Sequence, residues 1–167
     1  LDEAQMLELW RRRQGILPLR DDMEAVRTDG LDFTPRLKAE MDAWYLDLLA
    51  GAPAELLAPE DSHELEMEAV DGALEVKLPA ATMRVLAVKL SGWHCAAGLT
   101  DDPCSPSARA QRCALTRACV EAPVAVWDRA AGTLRLYPAV AGATIERLDL
   151  VVRREGTYSF DRAALGN

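Results

Sequence analysis

The sequence predicts an α+β fold, with N-terminal helices packed beside an antiparallel β-sheet or small β-sandwich. Three observations carry this. Apolar residues between Thr34 and Gly51 recur at helical spacing. From His63 to Leu78 the period changes to two, across an Asp71-Gly72 pair that signals a tight turn. After a basic stretch that reads as a helical excursion near 105–120, three more strand-like runs follow Pro123. The expected division is a helical part, 1–59, and a mainly β part, 60–167, folded as one compact unit.

Leu1 to Gln14 reads as a helix whose Met6, Leu9 and Trp10 share a stripe, with Gly15 placed to stop it. The arginine run Arg11 to Arg13 has two readings: a phosphate contact, or a solvated end that complements the helix dipole. The dipole reading is preferred. A connector follows, with room for a short helix around Arg20 to Arg27. The strongest helix starts at Thr34-Pro35 and ends at Gly51. Its apolar stripe is Leu37, Met41, Trp44, Tyr45, Leu48 and Leu49, and a core role is expected for Trp44 and Tyr45. One more helical turn is expected between Pro53 and Pro59.

If Asp71-Gly72 is a two-residue type I′ turn, the hairpin register follows. Val70 faces Ala73, Ala69 faces Leu74, Met67 faces Val76 and Leu65 faces Leu78. On the outer face Glu68 meets Glu75 and Glu66 meets Lys77. A slip by one residue would turn every glutamate inward, so the apolar pairs decide the register. The run Thr82 to Leu90 is a strand with apolar residues of both parities, which suggests burial on both sides. Ser91 to Ser105 reads as a loop, and Ser105-Pro106 as the start of a helix through the basic stretch. "PVAVWDR", "TLRLYPA" and "TIERLDLVVRRE" are strands, the first two joined by a hairpin, and the chain closes on a turn and a short helix.

A chain of 167 residues, half of them hydrophobic, can bury a real core. The net charge of −8 argues against gripping nucleic acid, which takes a cationic footprint. No apolar run reaches the roughly 18 residues of a membrane span, and no signal peptide is recognisable. Cys95, Cys104, Cys113 and Cys119 form no C-x-x-C pair and read as reduced thiols of a cytosolic protein. With His94 they are spaced too evenly for the short-spaced ligand pairs of a zinc site. His94 and Cys95 are adjacent, so on extended chain they point to opposite faces and do not form a nucleophile pair. Neither a catalytic group, a metal ligand set nor a cofactor is expected, and the chain is read as a non-enzyme.

Charge is segregated. Glu60 to Glu75 holds seven acidic residues and no lysine or arginine, whereas Ser105 to Cys119 holds Arg109, Arg112 and Arg117 and no acid. These are either solvated faces of a monomer or a head-to-tail contact, of the kind that closes rings. On the second reading the interface residues are Glu64, Glu66, Glu68, Arg109, Arg112 and Arg117.

Several stretches carry a family resemblance. "FTPRLKAEMDAWYLDLLAGAPAELLAP" (Phe33 to Pro59), "DGALEVKLPAATMRVLAVKLSGW" (Asp71 to Trp93), "ARAQRCALTRACVEAPVAVW" (Ala108 to Trp127) and "LRLYPA" (Leu134 to Ala139) are the residues concerned. They resemble segments of virion proteins of tailed phages and gut prophages, similar to the head–tail connector (ring or adaptor) proteins that join portal to tail. The chain departs from that group after Trp93, where "HCAAG" stands in place of a Pro-containing stretch. The resemblance implies a structural subunit that assembles as a ring with copies of itself, portal and tail. Such a subunit is made in the bacterial host cytoplasm, resides in the virion, and has a passive DNA channel, no small-molecule substrate and no membrane. The rival expectation is a bacterial α+β binding module that recognises a protein or sugar through the 91–105 loop, with Trp93 and Trp127 as candidate anchors.

Overall fold

The computed structural model describes residues 1–15 and 34–165. The short helix expected around Arg20 to Arg27 lies outside the described residues. The fold is α+β, as the sequence predicts. The division is corrected at its C-terminal end: the chain forms two compact units, one of residues 1–58 with 153–167, the other of residues 59–152. The physical reason lies beyond Val152, where Tyr158 and Phe160 find their aromatic partners among the helices.

In the helical unit, α1 (Glu3–Arg13) starts at Asp2, whose carboxylate accepts the Gln5 backbone N–H at 2.8 Å while the Gln5 side chain accepts from the Asp2 N–H. Gly15, at φ +70°, follows its end. Met6, Leu7 and Trp10 are its buried side chains, and Met41, Tyr45 and Leu49 are those of α2 (Thr34–Gly51). The arginine run has partners within this unit. Arg13 lies over the Trp10 and Trp44 rings at 5.1 and 5.0 Å, Arg12 pairs with Glu8, and Arg11 donates to Thr34 Oγ1 at 3.3 Å. The C-terminal segment closes the aromatic cluster: Tyr158 packs edge-on to Tyr45 at 5.0 Å and Phe160 edge-on to Trp44 at 5.5 Å. One 3₁₀ turn spans Ala54–Leu56 and another Arg162–Leu165.

The β unit holds two sheets. Its strands are β1 (Glu60–Asp61), β2 (Met67–Val70), β3 (Ala73–Lys77), β4 (Thr82–Leu90), β5 (Gly98–Thr100), β6 (Val124–Asp128), β7 (Thr133–Tyr137) and β8 (Ile145–Val152). One sheet has the order β1-β8-β4, the other β2-β3-β7-β6-β5. Their inward side chains share one core, which includes Val76, Leu134, Leu136 and Trp127 from the larger sheet and Val88, Leu90, Leu148 and Leu150 from the smaller. All ladders are antiparallel except β5–β6.

Asp71 and Gly72 both have positive φ, 49° and 77°, as a type I′ turn requires, and the register from Met67–Val76 to Val70–Ala73 is the one the turn imposes. The ladder stops at Met67. The Leu65–Leu78 and Glu66–Lys77 pairs are not part of it, because a turn closed by Leu65 N–H on Ser62 O leads the chain back to β1 and its partner β8. Three further expectations are corrected. β4 is an edge strand with three register shifts against β8, and only its Val88 and Leu90 are buried; the shifts rotate the other residues, which stay half-buried on both faces. The 91–105 segment contains β5. The helix opened by Ser105 and Pro106, α3, ends at Ala110.

Candidate functional site

The six residues expected at an interface all lie in the β unit. Glu64 and Glu66 precede β2, Glu68 lies within it, and all three are exposed. Glu68 faces Glu75 across the hairpin, and Glu75 faces Arg135 on β7, whose Nε donates to it at 3.0 Å. That ion pair offsets the repulsion anticipated between the two glutamates. Arg109 and Arg112 are exposed, on α3 and just after it. Arg117 is half-buried: its Nε donates to Gln111 O at 3.0 Å and its guanidinium lies 5.9 Å from the Tyr137 ring centroid. A Cβ built on Gly72 would stand 3.2 Å from Arg117 Cζ. The basic segment therefore touches the hairpin of its own chain through Arg117.

That segment is held by turn and side-chain hydrogen bonds. Ser105 caps α3 by accepting the Ala108 N–H at 3.2 Å. Gln111, 4% exposed, donates to Ser107 O and accepts the Ala118 N–H at 2.8 Å, so its amide staples both ends of the excursion. Between them Leu115 is 95% exposed.

All four cysteines are free and exposed. The backbone N–H of Leu115, the Thr116 hydroxyl and the Arg117 charge lower the Cys113 thiol below its usual range. Near the excursion's base, Cys95 Sγ lies 3.3 Å from Glu121 O, and His94 Nδ1 is 4.0 Å from Glu121 Oε1. The Cys119 thiol, first, and the Glu121 N–H hold the Glu121 carboxyl below its ordinary value. Among the described residues no group of three or more His, Cys, Asp or Glu is placed to hold a metal ion.

Among the described residues, each unit has a small cleft. In the β unit a cleft of about 190 Å³ lies between Arg84 and Val85 of β4 and the Leu99–Asp101 edge, with Trp127 and Arg129 closing it. Arg129 stacks on Trp127 at 4.5 Å and donates to Asp101 at 2.7 Å. The buried Trp127 Nε1 has no protein partner there. In the helical unit a cleft of about 170 Å³ is bordered by Glu3, Asp42, Tyr45, Arg153 and Tyr158. Tyr158 donates to Asp42 Oδ1 at 2.6 Å, and burial, reinforced by that carboxylate, pushes its pKa well above the ordinary phenol value. Both clefts fall below the roughly 300 Å³ at which small-molecule sites begin. Arg129 pairs with Asp101 in the first and Tyr158 with Asp42 in the second.

Sequence reasoning missed the Glu121 cluster and the Leu99–Asp101 edge. Both arise from chain segments brought together only by folding, and no local spacing marks them. Trp93 and Trp127 are core residues, 3% and 6% exposed, and Trp93 Nε1 donates to Pro138 O. No helix among the described residues is long and apolar enough to cross a membrane. Comparison with protein-family models, with curated proteins and with solved structures finds no match.

Proposed function

We propose that this protein is a structural subunit of a phage or prophage head–tail connector, assembling as a ring between portal and tail. The observation that carries the reading is the pair of exposed, opposite-sign faces on one unit. Glu64, Glu66 and Glu68 are exposed on and just before β2; Arg109, Arg112 and Leu115 are exposed on the basic segment. Surfaces of opposite sign attract one another in neighbouring copies, and heterologous contacts close into rings when the rotation allows. An acidic ring repels DNA and lets it slide. The arrangement supports this reading together with the resemblance of Phe33 to Pro59 and of Ala108 to Trp127 to virion proteins.

Gene neighbourhood supplies the test material: portal, capsid and terminase genes alongside would provide the portal protein. Light scattering and negative-stain imaging are then made of the chain alone and with portal. Rings on the portal are expected, and a persistent monomer in both conditions counts against the reading.

One observation favours the alternative, a bacterial binding module acting through the 91–105 loop. The β-unit cleft sits on that loop's own strand, β5, beside Leu99, which is 38% exposed. Leu99, in place of the buried Trp93, would be the anchor. Protein or glycan binding lost in Leu99→Asp with the fold intact would move the assignment to this reading.

A further inference from the structure

Leu115 is 95% exposed, and the other exposed large hydrophobic among the described residues, Leu99, is 38% exposed. Its setting is a tied turn. The Thr116 N–H donates to Cys113 O at 3.1 Å, so Ala114 and Leu115 are the central pair of a hydrogen-bonded turn. The Thr116 hydroxyl donates to Ala110 O at 2.7 Å, Arg117 Nε to Gln111 O at 3.0 Å, and the Ala118 N–H to Gln111 Oε1 at 2.8 Å. Turn centres favour Gly, Asn, Asp and Ser. Here a large apolar side chain is held outward instead, with Arg109 and Arg112 exposed on the same segment. An apolar residue fixed in this way has little ordering left to lose on binding, which suits an interface anchor.

The outer edge of β2 has the matching chemistry. β2 is the outermost strand of the larger sheet. Met67 and Leu74 pack against the core yet stay half-buried, and Ala69, which faces Leu74, is exposed. The core-facing side of β2 is therefore open along its margin. Glu64, Glu66 and Glu68 are exposed on and just before the same strand. Leu115 of the same chain does not cover this margin, since it is itself exposed.

We propose that the Cys113–Thr116 turn docks on the outer edge of β2 in a second copy of this chain. Leu115 seats against Met67 and Ala69, and Arg109 and Arg112 lie opposite Glu64, Glu66 and Glu68. Charge complementarity selects this occupant. Residues 105–119 carry three arginines and no acid, and residues 60–75 carry seven acids and neither lysine nor arginine. An approach along the edge reaches side chains on both sides of the strand, because successive residues alternate. The result is an apolar centre with a charged rim, the usual anatomy of a specific contact. The two surfaces belong to different stretches of the chain, so the contact is heterologous. The inference deepens the connector reading and rests on it for the use the contact is put to.

The test places the photo-reactive residue p-benzoylphenylalanine at position 115 of the full chain. This protein is mixed with unmodified chain labelled with heavy nitrogen, alone and with portal, irradiated and digested. Mass spectrometry is expected to find residue 115 joined to a labelled peptide, at residues 64–70. The label makes the link intermolecular. A link that maps elsewhere, or none in either condition, overturns the contact. Sedimentation in the same two conditions gives a second reading. Leu115→Ser is expected to weaken association about 10- to 100-fold, as loss of one buried leucine side chain implies, and Leu115→Met to keep it. Unchanged association of Leu115→Ser also overturns the contact. Circular dichroism checks that each variant is folded. The two readings fail separately: rings on the portal without this cross-link overturn the contact alone, and the cross-link without rings overturns the connector alone.

Discussion

Gly72 is constrained twice, by a φ of +77° and by the Arg117 guanidinium standing over it. Gly72→Ala carries the left-handed penalty, about 1–2 kcal/mol, plus the cost of moving the arginine. In an Arg117→Ala background only the backbone penalty remains. The double variant is therefore expected to lose less stability than the sum of the singles, as read by urea denaturation in a double-mutant cycle. Tyr158 offers a second residue-scale test. Tyr158→Phe removes the 2.6 Å bond to Asp42 and is expected to cost about 1–2 kcal/mol. The pH dependence has a definite sign. The folded pKa of Tyr158 lies above its unfolded value of about 10, so this stabilisation is fully present below roughly pH 10 and is lost as pH rises through the folded value. Unfolding curves of the two proteins should differ at neutral pH and converge in strong alkali.

The elements divide by how local their causes are. The β2–β3 hairpin and its register were legible because two adjacent residues set the turn and the alternating pattern rejects a slip. α2 was legible from its stripe, although only Met41, Tyr45 and Leu49 of the six positions are buried. β5 was not legible: three residues, Gly98 to Thr100, carry no period, and their only ladder runs parallel to β6, more than twenty residues later. α3 was over-read because Ser105-Pro106 marks a start, while nothing local marks the stop at Ala110, which is followed by turns. Of the expected interface residues, Glu64, Glu66, Glu68, Arg109 and Arg112 are exposed, and Arg117 is half-buried with its side chain committed within the fold. The C-terminal segment was read as part of the β region because its aromatic partners are distant in sequence. Removing residues 157–167 is expected to strip Tyr158 and Phe160 from Tyr45 and Trp44 and to lower the thermal stability of the helical signal. A core truncation in the β unit should be larger than any of these single changes: Leu136, fully buried at the centre of the larger sheet, is expected to cost about 2–5 kcal/mol as Leu136→Ala. Circular dichroism melts and urea titrations read these two effects.

At the scale of the whole molecule, the connector proposal makes a reciprocal demand. Glu64→Lys with Glu66→Lys and Glu68→Lys is expected to abolish ring formation on the portal, as is Arg109→Glu with Arg112→Glu. Mixing the two reversed proteins should restore some assembly, because each keeps one face that matches the other. Assembly should also weaken at high salt, since both faces are solvent-exposed. Sedimentation and negative-stain imaging read all four cases, and rings that survive both reversals would place the subunit contact elsewhere. The strand order has its own consequence. Each sheet draws strands from before and after the exposed 106–119 segment: β1 and β4 against β8 in one, β2, β3 and β5 against β6 and β7 in the other. The helical unit likewise takes residues from both chain ends. A protease that severs the backbone at Arg109 or Arg112 would therefore leave two polypeptides that migrate together in gel filtration and separate only in denaturant. The excursion is the place where this molecule can be cut open without falling apart.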